Sequence, residues 1–412
     1  MSETDGRLTV TARPDADRVG LRRLLVVLCV TQVTSWGVLY YAFPVLSGRI
    51  SVATGWSPPT LTAAFSAGLV VSAVAGMVVG RWIDRHGPRG VMTLGSVVAV
   101  LAVVAIALAP SLPVFVAVWL VAGLAMAGVL YPPAFAALTR WYGPRRVGAL
   151  TVLTLAGGFA STIFAPITAA LATVLDWRGV YLVLAAVLAV VTIPAHAVGL
   201  RRPWPRADDI SGAEQRPAHI MTSRPFLALA AALALAACAS HAAVVNLVPL
   251  LTERGIGIGI AALILGLGGA GQVLGRVGYA PLHRHLRVRS TTVAVLAGVA
   301  LSTILIAVLT GLAGLVAAVI LAGVMRGLLT LVQATAVSDR WGTAHYGRLT
   351  GVLSAPATMT AALAPWIGAA LAASLGGHTA MFWVMGAVAV VAAAVGFWSV
   401  PHPTSTRQPS PR

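Results

Sequence analysis

Two arginines, Arg276 and Arg326, stand inside long apolar stretches, where a charge at the centre of a bilayer costs at least about 2.5–3.5 kcal/mol. A guanidinium at such depth can grip a carboxylate through two parallel hydrogen bonds. Gln272 precedes Arg276 by four residues and shares its helical face, while Thr330 and Gln333 continue the face of Arg326 at i+4 and i+7. The acids lie elsewhere: Asp84, Asp176, Asp208, Asp209, Glu253 and Asp339 fall in loops or at the ends of apolar runs. With no carboxylate to neutralise them, two cations in a shared cavity favour an organic anion as solute, with backbone carbonyls as their alternative partners. His241 is the candidate for carrying a proton, because imidazole titrates near neutrality; simple packing is the competing reading. Trp36 and Tyr40, spaced i and i+4, form an aromatic face that suits a cavity wall, a lipid contact or a helix contact. Paired acids, metal-ligand clusters, activated nucleophiles and ATP-binding loops are missing at these depths, so neither an enzyme nor a primary pump is expected, and no cofactor.

The elements that must position these residues follow from solvent. Of 412 residues, 58% are hydrophobic and 9% charged, where a soluble protein carries roughly a quarter charged. All 28 basic residues are arginine, and the net charge of +17 is too scattered among apolar runs for a nucleic-acid face. A bilayer core needs about 20 apolar residues per helix. Such runs occur at 24–46, 60–80, 91–110, 113–138, 148–173, 178–199, 226–250, 258–281, 291–310, 312–337, 349–373 and 378–399. Twelve spans result, the division near Gly311 being the least distinct. Cys29 and Cys238 lie within spans, which excludes a disulfide framework or zinc site. Arg22 and Arg23 precede an apolar run without a small-residue cleavage site, so the first span is expected to be retained.

Arginines outside the spans number 23 on one side and three, Arg49, Arg178 and Arg254, on the other. Cytoplasmic loops are enriched in arginine, which places both termini in the cytoplasm. The expected organisation is a tail over 1–21, a six-span half over 22–199, a polar linker over 200–224, a second half over 225–400 and a disordered tail over 401–412.

An internal repeat supports the halving. At an offset of 200, Ala122 and Gly123 match Ala322 and Gly323, Ala134 and Ala136 match Ala334 and Ala336, and Arg140 and Trp141 match Arg340 and Trp341. At an offset of 205, Pro44 and Arg49 match Pro249 and Arg254; the same offset pairs Tyr41 with Asn246 and Trp36 with His241, so Tyr41 and Asn246 are expected to face one cavity. Parallel six-span halves with a site between them at mid-membrane are the geometry of a secondary transporter. The Gly266, Gly268 and Gly271 string has no preceding strand, so close helix packing explains it better than a nucleotide, as for Gly76 with Gly80 and Gly271 with Gly275.

Between spans two and three stand Gly80, Asp84, Arg85, Gly87 and Arg89, a pattern that resembles the G-x-x-x-D-R-x-G-x-R signature of the major facilitator superfamily in every fixed position. The resemblance implies a twelve-helix all-α membrane fold in two pseudo-symmetric halves, and a structural and gating role for this loop. Tyr41, Ala42, Phe43 and Pro44, then Gly55, Trp56 and Ser57, then Gly275 and Arg276, resemble the monocarboxylate and oxalate/formate branch. That likeness implies that Arg276 meets the solute carboxylate. Two departures stand out: Val45 occupies the place of the monocarboxylate carriers' lysine, which stands against monocarboxylate–proton symport, and the oxalate carriers' lysine of span eleven has no counterpart, since that span carries no cation.

The resulting expectation is a monomeric secondary transporter, free of nucleic acid, that carries a small organic solute, an anion before others, across a bacterial inner membrane, with protons as a candidate coupling ion. Efflux of a drug or metabolite is the first alternative, and a non-transporting membrane sensor the second.

Overall fold

The computed structural model describes residues 14–143, 146–204, 218–341 and 346–400. The tail residues 1–13 and 401–412 and the linker stretch 205–217, with Asp208, Asp209 and Glu214, lie outside the described residues. Among those described, twelve helices are long and apolar enough to cross a membrane. They run over Val19–Thr54, Pro58–Ile83, Pro88–Leu108, Leu112–Tyr142, Gly148–Val174 and Trp177–Gly199 in the first half. The second half has Arg224–Glu253, Ile258–Tyr279, Val288–Val308, Leu312–Thr335, Gly351–Ser374 and His378–Gly396. The chain is thus a multi-pass membrane protein. Spans nine and ten, hard to divide in sequence, separate cleanly between Val308 and Leu312. Large apolar side chains such as Val190, Val78 and Leu101 remain exposed, as suits helices facing hydrocarbon.

The repeat is written into the backbone. Spans two, three and four begin at Pro58, Pro88 and Leu112, and spans eight, nine and ten at Ile258, Val288 and Leu312, 200 residues later in each case. In both halves glycines let the same two helices touch. A Cβ on Gly123 would collide with the Gly68 carbonyl, and one on Gly323 with the Gly268 carbonyl. Gly271 and Gly275 meet span ten at the Ile320 and Val324 carbonyls, and Gly266 meets Thr162 of span five, so the glycine string packs helices as expected. Gly76 and Gly80 do not: a Cβ on either meets nothing within 4 Å. Their spacing matches the packing motif, but no helix among the described residues lies opposite them.

The two Arg–Trp pairs perform parallel work. Arg140 stacks 4.9 Å over Trp204 while the Trp141 indole donates to the Pro203 carbonyl, holding the chain that leaves span six. Arg340 donates to the Ser399 and Ala336 carbonyls and to the Thr292 hydroxyl, holding the chain that leaves span twelve. Burial pulls the Arg340 pKa down to about 10, which leaves it charged at neutral pH.

The 205 offset does not carry the same weight. Span one continues to Thr54, ten residues past Pro44, whereas span seven stops at Glu253, four past Pro249. Arg49 donates to the Ala172 carbonyl at the end of span five, but Arg254 donates to the Ile306, Ala307 and Leu309 carbonyls at the end of span nine. In the first half the corresponding end, at Ala109, is capped by Arg178 of span six, 3.1 Å away. All three arginines of the arginine-poor end therefore bind the carbonyls that a helix leaves orphaned at its C-terminus.

Candidate functional site

Two helices of the first half are interrupted at prolines: span one, which bears Trp36, Tyr40 and Tyr41, and span four. In span one Pro44 offers no N–H to the Tyr40 carbonyl, and the backbone widens into a π-turn over Gly37–Tyr41, where the Ala42 N–H bonds back to Gly37. Such π-turns re-aim side chains; here Tyr40 and Tyr41 are turned inward and packed against each other, with ring centroids 5.2 Å apart. Span four breaks at Leu130 into Leu112–Val129 and Tyr131–Tyr142, because Pro132 and Pro133 lack the N–H groups that a continuous helix requires. The Gln32 side-chain amide donates to the stranded Val129 carbonyl at 2.7 Å.

These breaks assemble an aromatic wall on the first half. Trp36 lies 5.4 Å from Tyr40 and 5.1 Å from Tyr131, and Tyr131 stacks on Phe135 at 5.0 Å. Trp36 and Tyr40 thus share one face, as their spacing implied. Tyr131 was not singled out in the sequence; the double proline that follows it was the available sign.

Opposite this wall stand the two arginines. Spans eight and ten approach so closely, with Gly327 against the Gln272 carbonyl, that the Arg326 Nη2 donates to the Gln272 Oε1 at 3.3 Å. Gln272 and Arg276 share a face, and both are buried. The Arg276 Nη1 crosses to the first half and donates to the Thr154 carbonyl of span five. Gly157 and Gly158 make room for this crossing: a Cβ on Gly157 would strike the Tyr131 hydroxyl, and one on Gly158 would stand 3.3 Å from the Arg276 Nη1. Of the two partners open to Arg276 in the sequence, a carboxylate or a carbonyl, it holds a carbonyl in this structure. The Nε atoms of both arginines are buried without an acceptor among the described residues.

Arg326 is near enough to Tyr40 and His241 for its charge to act on both. The His241 Nδ1 pairs with the Ala237 carbonyl of its own helix at 2.8 Å. The Thr330 hydroxyl bonds back to the Arg326 carbonyl at 2.9 Å, and Gln333 lies two turns from Arg326, half-buried.

Asn246 is not brought to this group. It is 1% exposed and donates to the Ala242 and Pro365 carbonyls, packed where Gly368 of span eleven leaves space. Val45 is packed into the core of the second half, so a lysine there would be buried among apolar side chains. Arg326 also lines a narrow cleft of about 30 Å³ in the second half between spans seven to ten, walled mostly by apolar residues with Ser240, Ser302 and Thr303. That volume has room for about one water.

The halves meet along two seams. Ser66 of span two accepts from the Trp366 N–H of span eleven at 3.1 Å, and Thr162 of span five donates to the Gly266 carbonyl of span eight at 2.7 Å. The model of the Major Facilitator Superfamily matches residues 25–314 and 287–412. The chain belongs to that superfamily, whose members carry small-molecule solutes through a membrane.

Among its relatives, the uncharacterized MFS-type transporter YcxA of Bacillus subtilis is 28% identical over 140 residues, covering 33% of each chain. Monocarboxylate transporter 11 of Homo sapiens is 30% identical over 231 residues, 53% of this chain and 49% of that one. The chain thus spans a third to about half of the length of these curated relatives. In fold it is similar to a bacterial homolog of the human lysosomal transporter Spinster, in an inward-facing and occupied conformation, with a TM-score of 0.75 at 15% identity, covering 94% of this chain and 97% of that one. It is likewise similar to the nucleoside transporter NupG, with a TM-score of 0.73 at 13% identity and coverage of 91% and 98%.

The superfamily loop between spans two and three sits at the arginine-rich end. Gly87 adopts φ +81° and closes the helix Pro58–His86 through its N–H to the Ile83 carbonyl, with Trp204 packed where a Cβ would stand. The Arg89 Nε donates to the Ala197 carbonyl of span six at 2.8 Å, and Arg85 is exposed. The Asp84 side chain lies outside the described residues.

Proposed function

We propose that this transporter moves a small organic anion, a carboxylate, between its two six-helix halves by alternating access. The observation that carries the reading is the pair Arg276 and Arg326 at the seam, Arg326 bonded to Gln272 one turn before Arg276, each with a buried Nε that has no acceptor among the described residues. Buried donors are paired in folded proteins, and an anionic solute brings the acceptors that this site lacks. None of the acidic residues of the chain lies in the interior of a span, so no internal carboxylate competes for the guanidiniums. The aromatic wall of Trp36, Tyr40 and Tyr131 suits the carbon skeleton of such a solute; Tyr41, packed on Tyr40, and Gln333, two turns from Arg326, are further proposed contacts. Likeness to monocarboxylate transporters supports the same class.

Arg276 then alternates between the Thr154 carbonyl and the solute, which couples the seam to binding. Both termini and the linker over 200–224 face the cytoplasm, by the arginine asymmetry, and the protein works as a monomer in a bacterial inner membrane. His241, within reach of the Arg326 charge, is the proposed route for coupling to protons.

A second reading, export of a hydrophobic or cationic drug or metabolite, is favoured by the largely apolar cleft of the second half. Uptake of a labelled carboxylate panel and one cationic drug into proteoliposomes, with and without a pH gradient, separates the two. Carboxylate uptake that falls at least tenfold in Arg326→Ala supports the anion site. Drug movement that survives this substitution, with no carboxylate flux, refutes it.

A further inference from the structure

At the arginine-rich end of the first half, two clefts adjoin. The first, of about 540 Å³, opens between spans one and six, with Arg23, Arg201 and Arg202 at its rim and Leu24, Val27, Pro194 and Val198 as its walls. The second, of about 400 Å³, shares Arg201 and Arg202 and adds Arg89 and His86. Arg23 and Arg201 are exposed and have no hydrogen-bond or ion-pair partner among the described residues. Among the described residues, no acid lines either cleft.

Depth identifies the occupant. Arg23 lies four residues inside the start of span one, and Arg201 two residues past the end of span six; span ends are where a bilayer places its headgroups. Directly deeper, exposed apolar side chains run down both helices: Val26 and Val30 on span one, Val198 and Val190 on span six. Seven residues of helix, from Arg23 to Val30, descend about 10 Å into the acyl region. A basic rim above an apolar stripe matches a phosphate joined to acyl chains, and basic pockets between transmembrane helices recognise such headgroups. A free organic anion would use the rim and leave the stripe unexplained. We propose that the paired clefts hold an anionic phospholipid with two phosphodiester groups, one in each cleft, bridged by Arg201 and Arg202.

The small residues at the mouth keep the site open. A Cβ on Gly20 would stand 3.3 Å from the Arg202 Nη1, and one on Gly199 2.8 Å from Val27.

The test is the thermal unfolding midpoint of the purified full chain in neutral detergent with added diphosphatidylglycerol, phosphatidylglycerol, phosphatidylcholine or inorganic phosphate. Diphosphatidylglycerol is expected to raise the midpoint by several degrees more than the other three. The increment is lost in the double variant Arg23→Gln, Arg201→Gln and kept in Arg22→Gln, an exposed neighbour outside both clefts. Gly20→Leu, which fills the mouth without changing charge, should reduce the increment too, and reports separately if the arginine variant does not fold. Equal increments in native and double variant, or an equal effect of inorganic phosphate, overturn the proposal. So does a native chain that shows no lipid increment, the result expected if the acidic linker residues Asp208 and Asp209 occupy the clefts instead. Mass spectrometry of the native chain released from membranes should retain the two-phosphate lipid; a chain that carries none also overturns it.

Discussion

Replacing Gln32 by leucine should destabilise this transporter through one carbonyl. Pro133 cannot supply an N–H to the Val129 carbonyl, and the Gln32 Nε2 replaces that donor at 2.7 Å from a position with no solvent exposure. A buried acceptor left without a partner costs about 1–3 kcal/mol. Leucine also removes the Gln32 Oε1, which is buried without a donor among the described residues, and this returns part of the loss. The net expectation is the lower part of the range, about 1–2 kcal/mol. Pro133→Ala supplies an N–H at the position where a helix bonds i to i−4, so in that background Gln32→Leu should cost under ~0.5 kcal/mol. The coupling, about 1 kcal/mol, is read from a double-mutant cycle by reversible unfolding in mixed detergent micelles. Strict additivity of the two substitutions would refute the reasoning, because the glutamine would then stabilise the fold by some means other than the broken helix. The same break turns Tyr131 toward Arg276, so Pro133→Ala should also lower transport more than stability.

Further outcomes follow from the same geometry. Gly123→Ala and Gly323→Ala each drive a Cβ into a backbone carbonyl and should cost about 1–3 kcal/mol, whereas Gly76→Ala, with open space around it, should be neutral or stabilising by up to about 1 kcal/mol; thermal melts in detergent distinguish them. Arg340→Lys keeps the charge but cannot reach Ser399, Ala336 and Thr292 together, so it should lower the midpoint nearly as far as Arg340→Gln. Arg254→Gln uncaps the end of span nine and should speed proteolysis of the loop over 309–311; unchanged cleavage there would count against the cap.

The existence, number and approximate limits of the spans were legible in the sequence because lipid imposes a local rule. Each crossing segment must be apolar and must satisfy its own backbone within a helix, and the windows around Arg276 and Arg326 obey that rule despite the charge. The loop bearing Gly80 and Arg89 and the repeat at 200 residues were legible for a related reason, since both rest on residues close together or in fixed register. The glycines of span eight announced close contact, but Gly76 and Gly80 carry the same spacing with no helix among the described residues opposite them.

Partners across helices were decided only in the tertiary structure. Nothing local sends Arg276 to the Thr154 carbonyl, Asn246 to span eleven, or Arg254 to the end of span nine while Arg49 goes to span five. Those bonds depend on the rotation and depth of one helix against another, which packing of whole faces fixes and sequence spacing does not. The sequence determined that two cations would be carried into the membrane. The fold determined that one would clasp the opposite half, that the other would bond to the glutamine one turn before it, and that a proline break would set a tyrosine beside them.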